Sequence, residues 1–540
     1  MPRRSGQSDA VAASVRMYKG ILGDCFLLKF ESDGDRTTVL IDCGIIQGVA
    51  GAKERIGTIA ADIVRECGGD IEAGRQGVLD LLVVTHEHWD HISGFGQAAD
   101  VFFGNEELGE APKLRIAQLW MGWTEDPEHK LAGQLRERFG KRKKAVAKLG
   151  STKPGDGHPF AAAPGEAWTG LEAFVGPIED EGALGFGSRY TGRAIMEKLQ
   201  EVAEKTKYLR PGDVERVPGN PSVRAYVLGP PEDTDLLFKD SPSSGEAKET
   251  YFVDRDVCEG PLVALAEDAA ADLSGHSPFA PRHRRFTRKI IDGRRTSGNR
   301  PGDALDQLVD WFDRHYLADG ACRFAGNAPR GHDCARDVFC RLDLARRRID
   351  NDWMHAAGAL ALKLDNDTNN TSLVLAFELP GGDVLLFAAD AQVGNWLSWH
   401  KQNYLADGRE VTAEELLGRT ILYKVGHHGS HNATLKDQGL GMMKDPRLAA
   451  MIPVVEPIAR KQPGQGWKMP FPELKEELLA RTSGRILRGD CATGTDLEYD
   501  EAEAMFEVRE LDADPGFLAR VAEGPSGADE MLWVEYRVTG

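Results

Sequence analysis

Four residues of types that commonly bind metal ions stand within a six-residue stretch near the start of the chain. They are His86, His88, Asp90 and His91. Imidazole nitrogens and carboxylate oxygens are ligands that Zn²⁺ and similar first-row divalent ions prefer in proteins. A metal-free loop would need another use for three histidines and an aspartate packed so tightly. The spacing therefore predicts a metal centre, and a polar surface loop is the alternative.

A buried strand is predicted to deliver these side chains. Residues 79–84 are apolar except for Asp80, and the small residues Ser93 and Gly94 follow the cluster. A short apolar run of this kind is consistent with a strand in the interior of a sheet. Because the ligand types and the preceding strand agree, the metal centre is favoured over the surface loop.

Two later strand-like segments also end in residues that bind metals. Residues 384–389 are apolar and are followed by Asp390, and residues 420–425 run into a histidine-rich loop. A carboxylate placed between two cations can bind both through separate oxygens and offset their mutual repulsion. Asp390 is therefore a candidate bridging ligand, and a turn aspartate at a strand end is the alternative. The histidines of the loop are His427, His428 and His431.

The first cluster, His86-x-His88-x-Asp90-His91, resembles the signature of the metallo-β-lactamase superfamily. The resemblance implies an αββα sandwich, an α/β fold of four layers, with one or two metal ions at one edge. It also implies that the first two histidines bind one ion, and that Asp90 and His91 bind the other. Asp390 then occupies the position of the family's bridging aspartate.

Two further segments are similar to motifs of the same family. Asp42-Cys43-Gly44 resembles the first motif, in which the aspartate usually supports the metal loop without binding metal. Ala389 precedes Asp390 at a position where the family usually has glycine. The resemblance therefore covers the opening of the chain as well as its last third.

The histidine-rich loop, His427-His428-Gly429-Ser430, resembles the last family motif. It is especially similar to the hydrolase domain attached to bacterial DNA-uptake channels and to phosphorylcholine-esterase-like members. One of the two histidines is expected to complete the second site, and His428 is favoured, with His427 as the alternative ligand. His427 and His431 are candidates for the general acid that protonates the leaving group.

The third histidine that the family usually supplies to the first site is not evident between His91 and Asp390. In the DNA-uptake branch an Asn-x-Ser element occupies this part of the sequence, matched here by Asn370-Thr371-Ser372. Asn370 either faces the metals or forms a turn. The histidines in this interval are His129, His158, His276, His283, His315, His332 and His355.

Composition predicts an ordinary globular protein of more than one domain, or one enlarged domain. The chain has 540 residues, a net charge of −19, and 41% hydrophobic and 28% charged residues. The acidity opposes nonspecific attraction to nucleic acid. Eight scattered cysteines favour a reducing compartment, and no apolar run reaches the roughly 18 residues expected of a membrane span. A cytoplasmic protein is therefore expected.

The order of elements predicts a catalytic fold interrupted by a long insertion. Residues 1–14 are expected to form a flexible tail, residues 15–231 and 351–540 the two halves of the fold. Residues 232–350 are polar and irregular, contain a cluster of arginines, and are predicted to be an insertion that could serve as a lid. Residues 531–538 are predicted to be a strand of the second sheet.

The function expected from these motifs is metal-dependent hydrolysis by a metal-bound hydroxide, with Asp90, Asp390 and His431 as catalytic residues. Two divalent ions are expected, with Zn²⁺ favoured over Mn²⁺ or Fe²⁺. The branch resemblance favours a phosphoester or phosphodiester substrate, with nucleic acid as one candidate. The alternatives are a carbonyl-directed hydrolase, for a lactone, lactam or thioester, and a non-catalytic effector component with a vestigial metal site. The sequence sets no oligomeric state.

Overall fold

The computed structural model describes most of the predicted catalytic fold and little of the predicted insertion. Contacts within the chain divide it into two units, and the first comprises residues 1–139, 170–256 and 364–540. All the site residues discussed below belong to this unit. The described residues are 11–105, 108–150, 190–239, 363–462, 466–500, 502–503, 505–527 and 530–539.

The first sheet contains eight strands, numbered in chain order. The strands that follow one another from β1 to β3 are antiparallel, whereas β3, β5, β7 and β8 are parallel. In spatial order the strands are β20 (Val521–Gly527), β21 (Glu530–Thr539), β1 (Ala12–Tyr18), β2 (Phe26–Ser32), β3 (Asp35–Ile41), β5 (Leu81–Val83), β7 (Leu119–Gly122) and β8 (Thr206–Leu209).

The second sheet contains seven strands, of which four neighbouring ones are parallel. Because parallel strands end at the same edge, the segments after β12 and β15 leave the sheet side by side. In spatial order the strands are β17 (Ile486–Arg488), β16 (Ala449–Ile452), β15 (Thr420–Lys424), β12 (Val384–Phe387), β11 (Val374–Glu378), β10 (Asn220–Gly229) and β9 (Val214–Val217).

Three smaller pairs of strands complete the β structure of the described residues: β4 with β6, β13 with β14, and β18 with β19. The bounds are β4 (Gly77–Leu79), β6 (Leu114–Ile116), β13 (Asn403–Ala406), β14 (Arg409–Thr412), β18 (Thr495–Asp500) and β19 (Met505–Glu510).

The helices begin and end mainly where the sequence places capping or breaking residues. Pro472 opens its helix at the first helical position, as proline prefers. In chain order the helices are α1 (Ala52–Glu66), α2 (Trp89–Gln97), α3 (Ala99–Phe102), α4 (Lys130–Gly150), α5 (Gly192–Val202), α6 (Thr234–Leu237), α7 (Val393–Trp399), α8 (Ala413–Gly418), α9 (Glu456–Ala459), α10 (Pro472–Thr482) and α11 (Pro515–Leu518). Residues 363–369 are also helical.

Three apolar cores hold four layers together. Between the sheets, Phe26 of the first meets Phe387 of the second edge to face, with ring centroids 5.7 Å apart. On the outer face of the first sheet, Ile59 of α1 lies in a core with Leu82. On the outer face of the second, Trp396 of α7 packs against Tyr423. The αββα arrangement predicted from the sequence is confirmed.

The last strand lies in a different sheet from the one predicted. β21 pairs antiparallel with β1 in the first sheet, where Val534 and Tyr536 point into the core between the sheets. A period-two apolar pattern identifies a strand but does not identify its neighbour, because either sheet could bury the same face. The prediction that it joins the second sheet is wrong.

The two ends of the predicted insertion and the tail are only partly described. β1 begins at Ala12, so the last residues of the predicted tail belong to a strand. Residues 240–350 of the predicted insertion, with its arginine cluster, lie outside the described residues. Within the part of the chain that the structure describes, no helix is long and apolar enough to cross a membrane.

Candidate metal centre

Four of the predicted ligands converge at one point between the two sheets. One potential ligand atom of each of Asp90, His91, Asp390 and His428 lies within 4.8 Å of the others, and all four side chains are buried. Asp90 and His91 stand in the first turn of α2, just after β5. Asp390 follows β12 and His428 follows β15. The group therefore joins segments that are hundreds of residues apart in sequence.

The facing atoms of this group are arranged as ligands of a common cation would be. His91 Nε2 lies 3.1 Å from Asp390 Oδ2, and His428 Nε2 lies 2.9 Å from Asp90 Oδ2. Asp90 Oδ1, Asp390 Oδ2 and His91 Nε2 have no hydrogen-bond partner among the described residues. Buried polar atoms are rarely left in this state. The donor set and its orphaned atoms fit a divalent metal ion.

Two of the histidines are oriented through their Nδ1 atoms. His91 Nδ1 lies 2.8 Å from Asp42 Oδ2, and His428 Nδ1 lies 2.7 Å from the carbonyl oxygen of Pro453. Because a carboxylate and a carbonyl accept hydrogen bonds, these contacts place the ring proton on Nδ1. Each ring then turns Nε2 towards the group, which is the usual way proteins orient metal-binding histidines.

Asp42 holds the loop that carries the His86–His91 cluster in place through hydrogen bonds. Its Oδ1 accepts a hydrogen bond from the Thr85 amide at 2.8 Å, and its Oδ2 accepts one from the Thr85 hydroxyl at 2.6 Å. Together with the contact to His91, these bonds tie the end of β3 to the loop after β5. This is the supporting position that the resemblance of Asp42-Cys43-Gly44 implied.

The two carboxylate oxygens of Asp390 have different surroundings: Oδ1 contacts the His427 amide and Lys424, and Oδ2 faces the other predicted ligands. Its Oδ1 accepts a hydrogen bond from the His427 amide at 3.1 Å and lies 3.6 Å from Lys424 Nζ. The Lys424 ammonium is buried, forms an ion pair with Asp24, and donates to the carbonyl oxygen of Ala389 at 3.1 Å. Asp390 Oδ2 is therefore available to bind a cation.

His86 and His88 form a second, adjoining pair. His86 Nε2 lies 3.1 Å from His88 Nδ1. His86 Nδ1 lies 3.0 Å from the Thr85 hydroxyl oxygen, which already donates its hydrogen to Asp42 and can therefore accept from the imidazole. Ser372 Oγ lies 3.3 Å from the same nitrogen. His86 is thus set to present Nε2 towards His88.

None of the described candidates supplies a third histidine to this pair. His129 packs its ring on Trp123, with centroids 4.8 Å apart. Asn370 uses both ends of its amide elsewhere: Oδ1 accepts from the Gln392 amide at 3.0 Å, and Nδ2 donates to the carbonyl oxygen of Lys239 at 2.8 Å. Asn370 therefore has the structural role. The other candidate histidines, His158, His276, His283, His315, His332 and His355, lie outside the described residues.

The structure adds one acidic residue that the sequence analysis missed. Asp365 is 7% exposed, and its Oδ1 lies 3.7 Å from His88 Nε2. It stands in the helical segment 363–369 rather than at a strand end, so the signal that identified Asp90 and Asp390 is missing there. An aspartate in a helical segment carries no recognisable ligand pattern on its own.

His427 and His431 are not part of the group formed by Asp90, His91, Asp390 and His428. His427 Nε2 is 4.0 Å from Asp390 Oδ2, and its Nδ1 is 3.1 Å from Ser430 Oγ. His431 is part-exposed and its ring lies 5.8 Å from that of Phe471. The structure therefore brings His428 into the group, leaves His427 at its edge, and places His431 outside it.

The electrostatics of the group reflect an excess of buried carboxylates. Burial opposes the charged form of His91, but Asp390, Asp24 and Asp90 outweigh it and raise its pKa well above the ordinary value. Burial, reinforced by Asp90 and Asp390, raises the pKa of Asp365 well above its ordinary value. Burial, followed by repulsion from His91, lowers the pKa of His86. A site with these tendencies favours bound cations.

Strained backbone surrounds the group. Asp42, Ala389, His427 and His428 all have positive φ, between 42° and 55°, although none is glycine. Each such residue costs about 1–2 kcal/mol relative to an ordinary conformation. Residues held in this way concentrate where a functional geometry requires them. The conformation of Ala389 also explains the glycine that the family usually has at this position.

Comparison with known proteins agrees with this geometry over part of the chain. Residues 19–171 match the family model described as the Metallo-beta-lactamase superfamily. No curated protein matched the chain. The matched region contains the His86–His91 cluster and Asp42, whereas Asp390 and His428 lie beyond it. Residues 19–171 are thus similar to the metallo-β-lactamase superfamily, whose members are typically metal-dependent hydrolases, and the further candidate ligands Asp390 and His428 come from later in the chain.

Proposed function

We propose that this protein is a hydrolase that uses two divalent metal ions, with a phosphoester, most specifically a phosphodiester, as its substrate. The convergence of Asp90, His91, Asp390 and His428 carries the proposal. In it, His86 and His88 would hold the first ion, Asp90, His91 and His428 would hold the second, and Asp390 would be shared between the two. Zn²⁺ is the favoured ion, because histidine and carboxylate together suit it.

The charge of the surroundings supports two ions rather than one. Among the described residues, five aspartates and one lysine around the group are each at least nine-tenths buried. In the metal-bound form, with neutral histidines and all five carboxylates ionised, their net charge is −4, which two divalent cations neutralise; the cations would oppose the burial and the neighbouring carboxylates that raise the pKa of Asp365. Uncompensated buried charge is costly, so a single ion would leave the centre under-neutralised. The residues are Asp24, Asp42, Asp90, Asp365, Asp390 and Lys424.

Divalent ions at such a site supply a water of lowered pKa and a positive contact for a substrate oxygen. The residues of this chain supply position and proton transfer. Asp390, fixed by the His427 amide and by Lys424, presents one oxygen at a set place. Burial lowers the pKa of His427 to about 4, so this imidazole is neutral at pH 7 and carries no extra proton for a leaving group. His431 is the proposed donor to the leaving group.

The substrate class rests on the form of the last motif. The His427-His428-Gly429-Ser430 loop resembles that of the DNA-uptake-associated hydrolases and the phosphorylcholine-esterase-like members, which motivates a phosphoester substrate. This is an argument by analogy, since one fold supports several hydrolytic chemistries. A nuclease is its most specific form, and a carbonyl-directed hydrolase of the same metal site is the alternative.

A parallel assay of three model substrates tests the proposal. Turnover of bis(p-nitrophenyl) phosphate, nitrocefin and a simple lactone is measured with Zn²⁺, Mn²⁺ or Fe²⁺ and after chelation, and DNA and RNA are tested for cleavage. We expect the phosphodiester to be hydrolysed, and both chelation and His88→Ala to abolish the activity. His400→Ala is the matched control, because that imidazole bonds the carbonyl oxygen of Gln438 at the surface.

Other outcomes point to the alternatives. Preferential turnover of nitrocefin or the lactone assigns the carbonyl-directed chemistry. Phosphodiester cleavage that survives both chelation and His88→Ala refutes the metal-dependent hydrolase. A protein that binds no metal at all indicates the non-catalytic effector component.

A further inference from the structure

His88 has a different neighbour on each side of its imidazole ring. Its Nδ1 lies 3.1 Å from His86 Nε2, and its Nε2 lies 3.7 Å from Asp365 Oδ1. The two nitrogens of an imidazole point in widely different directions. If an ion lies between His86 and His88, it takes Nδ1, and the proton of His88 is on Nε2, directed towards Asp365.

Asp365 is a buried carboxylate of which one oxygen lacks a hydrogen-bond donor among the described residues. The residue is 7% exposed, and its Oδ2 lies 3.4 Å from Asn369 Nδ2, one helical turn further along. Its Oδ1 has no hydrogen-bond partner among the residues that the structure describes. A buried carboxylate oxygen without a donor is costly. The imidazole of His88 faces this oxygen.

The separation of 3.7 Å is longer than a hydrogen bond, which requires about 3 Å for a nitrogen donor and an oxygen acceptor. A shift of roughly 0.7 Å closes the gap, and hydrogen bonds at such sites are often long until the ligand is bound. Carboxylates that accept from the second nitrogen of a metal-binding histidine fix its tautomer and ring orientation.

We propose that Asp365 is a positioning residue for His88: it accepts the Nε2–H hydrogen, fixes Nδ1 towards His86, and thereby sets the affinity of the ion held by these two histidines. The inference rests on the proposed metal centre. It also helps to explain how His86 and His88 could bind an ion without the third histidine that the family usually supplies, because a carboxylate partner raises the basicity of an imidazole ligand. Asp365 acts through His88 and does not itself bind the ion.

Metal titration of graded variants tests the affinity. Zn²⁺ is titrated into metal-free wild-type protein, Asp365→Asn and Asp365→Leu, and two dissociation constants are measured for each. Asparagine keeps a neutral hydrogen-bond acceptor, whereas leucine removes the acceptor. The dissociation constant of one of the two ions should therefore rise about tenfold in Asp365→Asn and about a hundredfold in Asp365→Leu. The other ion should bind as in the wild type. Asp62→Asn, at a buried carboxylate paired with Arg16, is the control for burial alone.

The position of the His88 proton is measured in the same proteins. In the zinc-loaded protein with ¹⁵N-labelled histidine, we expect a protected imidazole Nε2–H resonance that disappears in both His88→Ala and Asp365→Leu. Variants that bind both ions like the wild type overturn the proposal. So does weakened zinc binding without a His88 Nε2–H resonance, because Asp365 would then be a ligand itself. A wild type that binds no zinc refutes the metal centre instead, which keeps the two failures apart.

Discussion

The histidines of the centre are oriented by hydrogen-bonding contacts within the protein. His91 is fixed by Asp42, His428 by the carbonyl oxygen of Pro453, and His86 by the Thr85 hydroxyl. Each contact occupies Nδ1 and leaves Nε2 towards the group. The rotational freedom that a ligand side chain loses on binding is therefore already lost in folding, which favours tight binding.

The backbone of Ala389 has a left-handed conformation that strains alanine but would not strain glycine. Its φ is 47°, and Ala389→Gly removes the steric cost of about 1–2 kcal/mol. Glycine adds roughly 0.4–1 kcal/mol of unfolded-state entropy, so the free energy of unfolding should stay unchanged or rise by up to about 1.6 kcal/mol. Chemical denaturation of the two proteins measures the difference, and zinc affinity should be retained. A loss of more than about 1 kcal/mol contradicts the strain argument.

His427 gives the metal-free protein a defined dependence on pH. Burial lowers its pKa from the ordinary 6.5 to about 4, so between these values the unfolded chain binds the proton more strongly than the folded one. Its contribution to stability is therefore complete above pH 6.5 and is lost as the pH falls towards 4. The difference corresponds to about 3 kcal/mol at most.

Denaturation of chelated wild type and His427→Gln across pH 4–7 measures this contribution. The unfolding free energy of the wild type minus that of the variant should increase as the pH rises from 4 to 6.5. A difference that is constant, or that decreases over this range, is inconsistent with a neutral buried imidazole.

At the level of elements, the segment after β3 and the first turn of α2 are in close backbone contact. A Cβ added at Gly44 would lie 2.1 Å from the carbonyl carbon and oxygen of Asp90. No side chain can occupy that gap, because the obstructing atoms belong to the backbone of a ligand residue.

Gly44→Ala should therefore move the metal loop. We expect a loss of roughly 1–3 kcal/mol in the free energy of unfolding, as for other overpacked sites, together with weaker zinc binding. Gly57→Ala is the matched control: it lies in α1 with no atom within 4 Å of the added Cβ, and should be neutral or stabilising by up to about 1 kcal/mol. Equal effects of the two substitutions would argue against a close approach at Gly44.

The sequence predicted the elements that carry strong local patterns. The strands β12 and β15, before Asp390 and His427, lie where their apolar runs placed them, whereas the run 79–84 before Thr85 is divided at Asp80 between β4 and β5. Strand neighbours depend on tertiary pairing, and for that reason β21 was assigned to the wrong sheet. The contribution of Asp365 depends on its distance from His88, a long-range property that no local pattern contains.

At the level of the whole molecule, the centre closes a long loop of chain. His428 Nε2 and Asp90 Oδ2 are 2.9 Å apart although 338 positions separate them in sequence. An ion bound by both residues ties the two sheets together in addition to the core between them. Ligands that bind only the folded state stabilise it by mass action.

Removal of metal should destabilise the protein. At free zinc 1,000-fold above Kd, the bound ion contributes about 4 kcal/mol, and chelation should remove this and lower Tm. Differential scanning calorimetry of the wild type with zinc and with chelator measures the shift. Asp390→Asn should show little response to zinc. An equal Tm with and without metal in the wild type speaks against an ion at this position.

The central claim is tested most directly by anomalous X-ray diffraction from crystals grown with zinc. We predict two anomalous peaks between the sheets, one within bonding distance of His86 and His88, the other of Asp90, His91 and His428, with Asp390 between them. Crystals in which zinc is absent from these side chains, or is bound only elsewhere, would contradict the account.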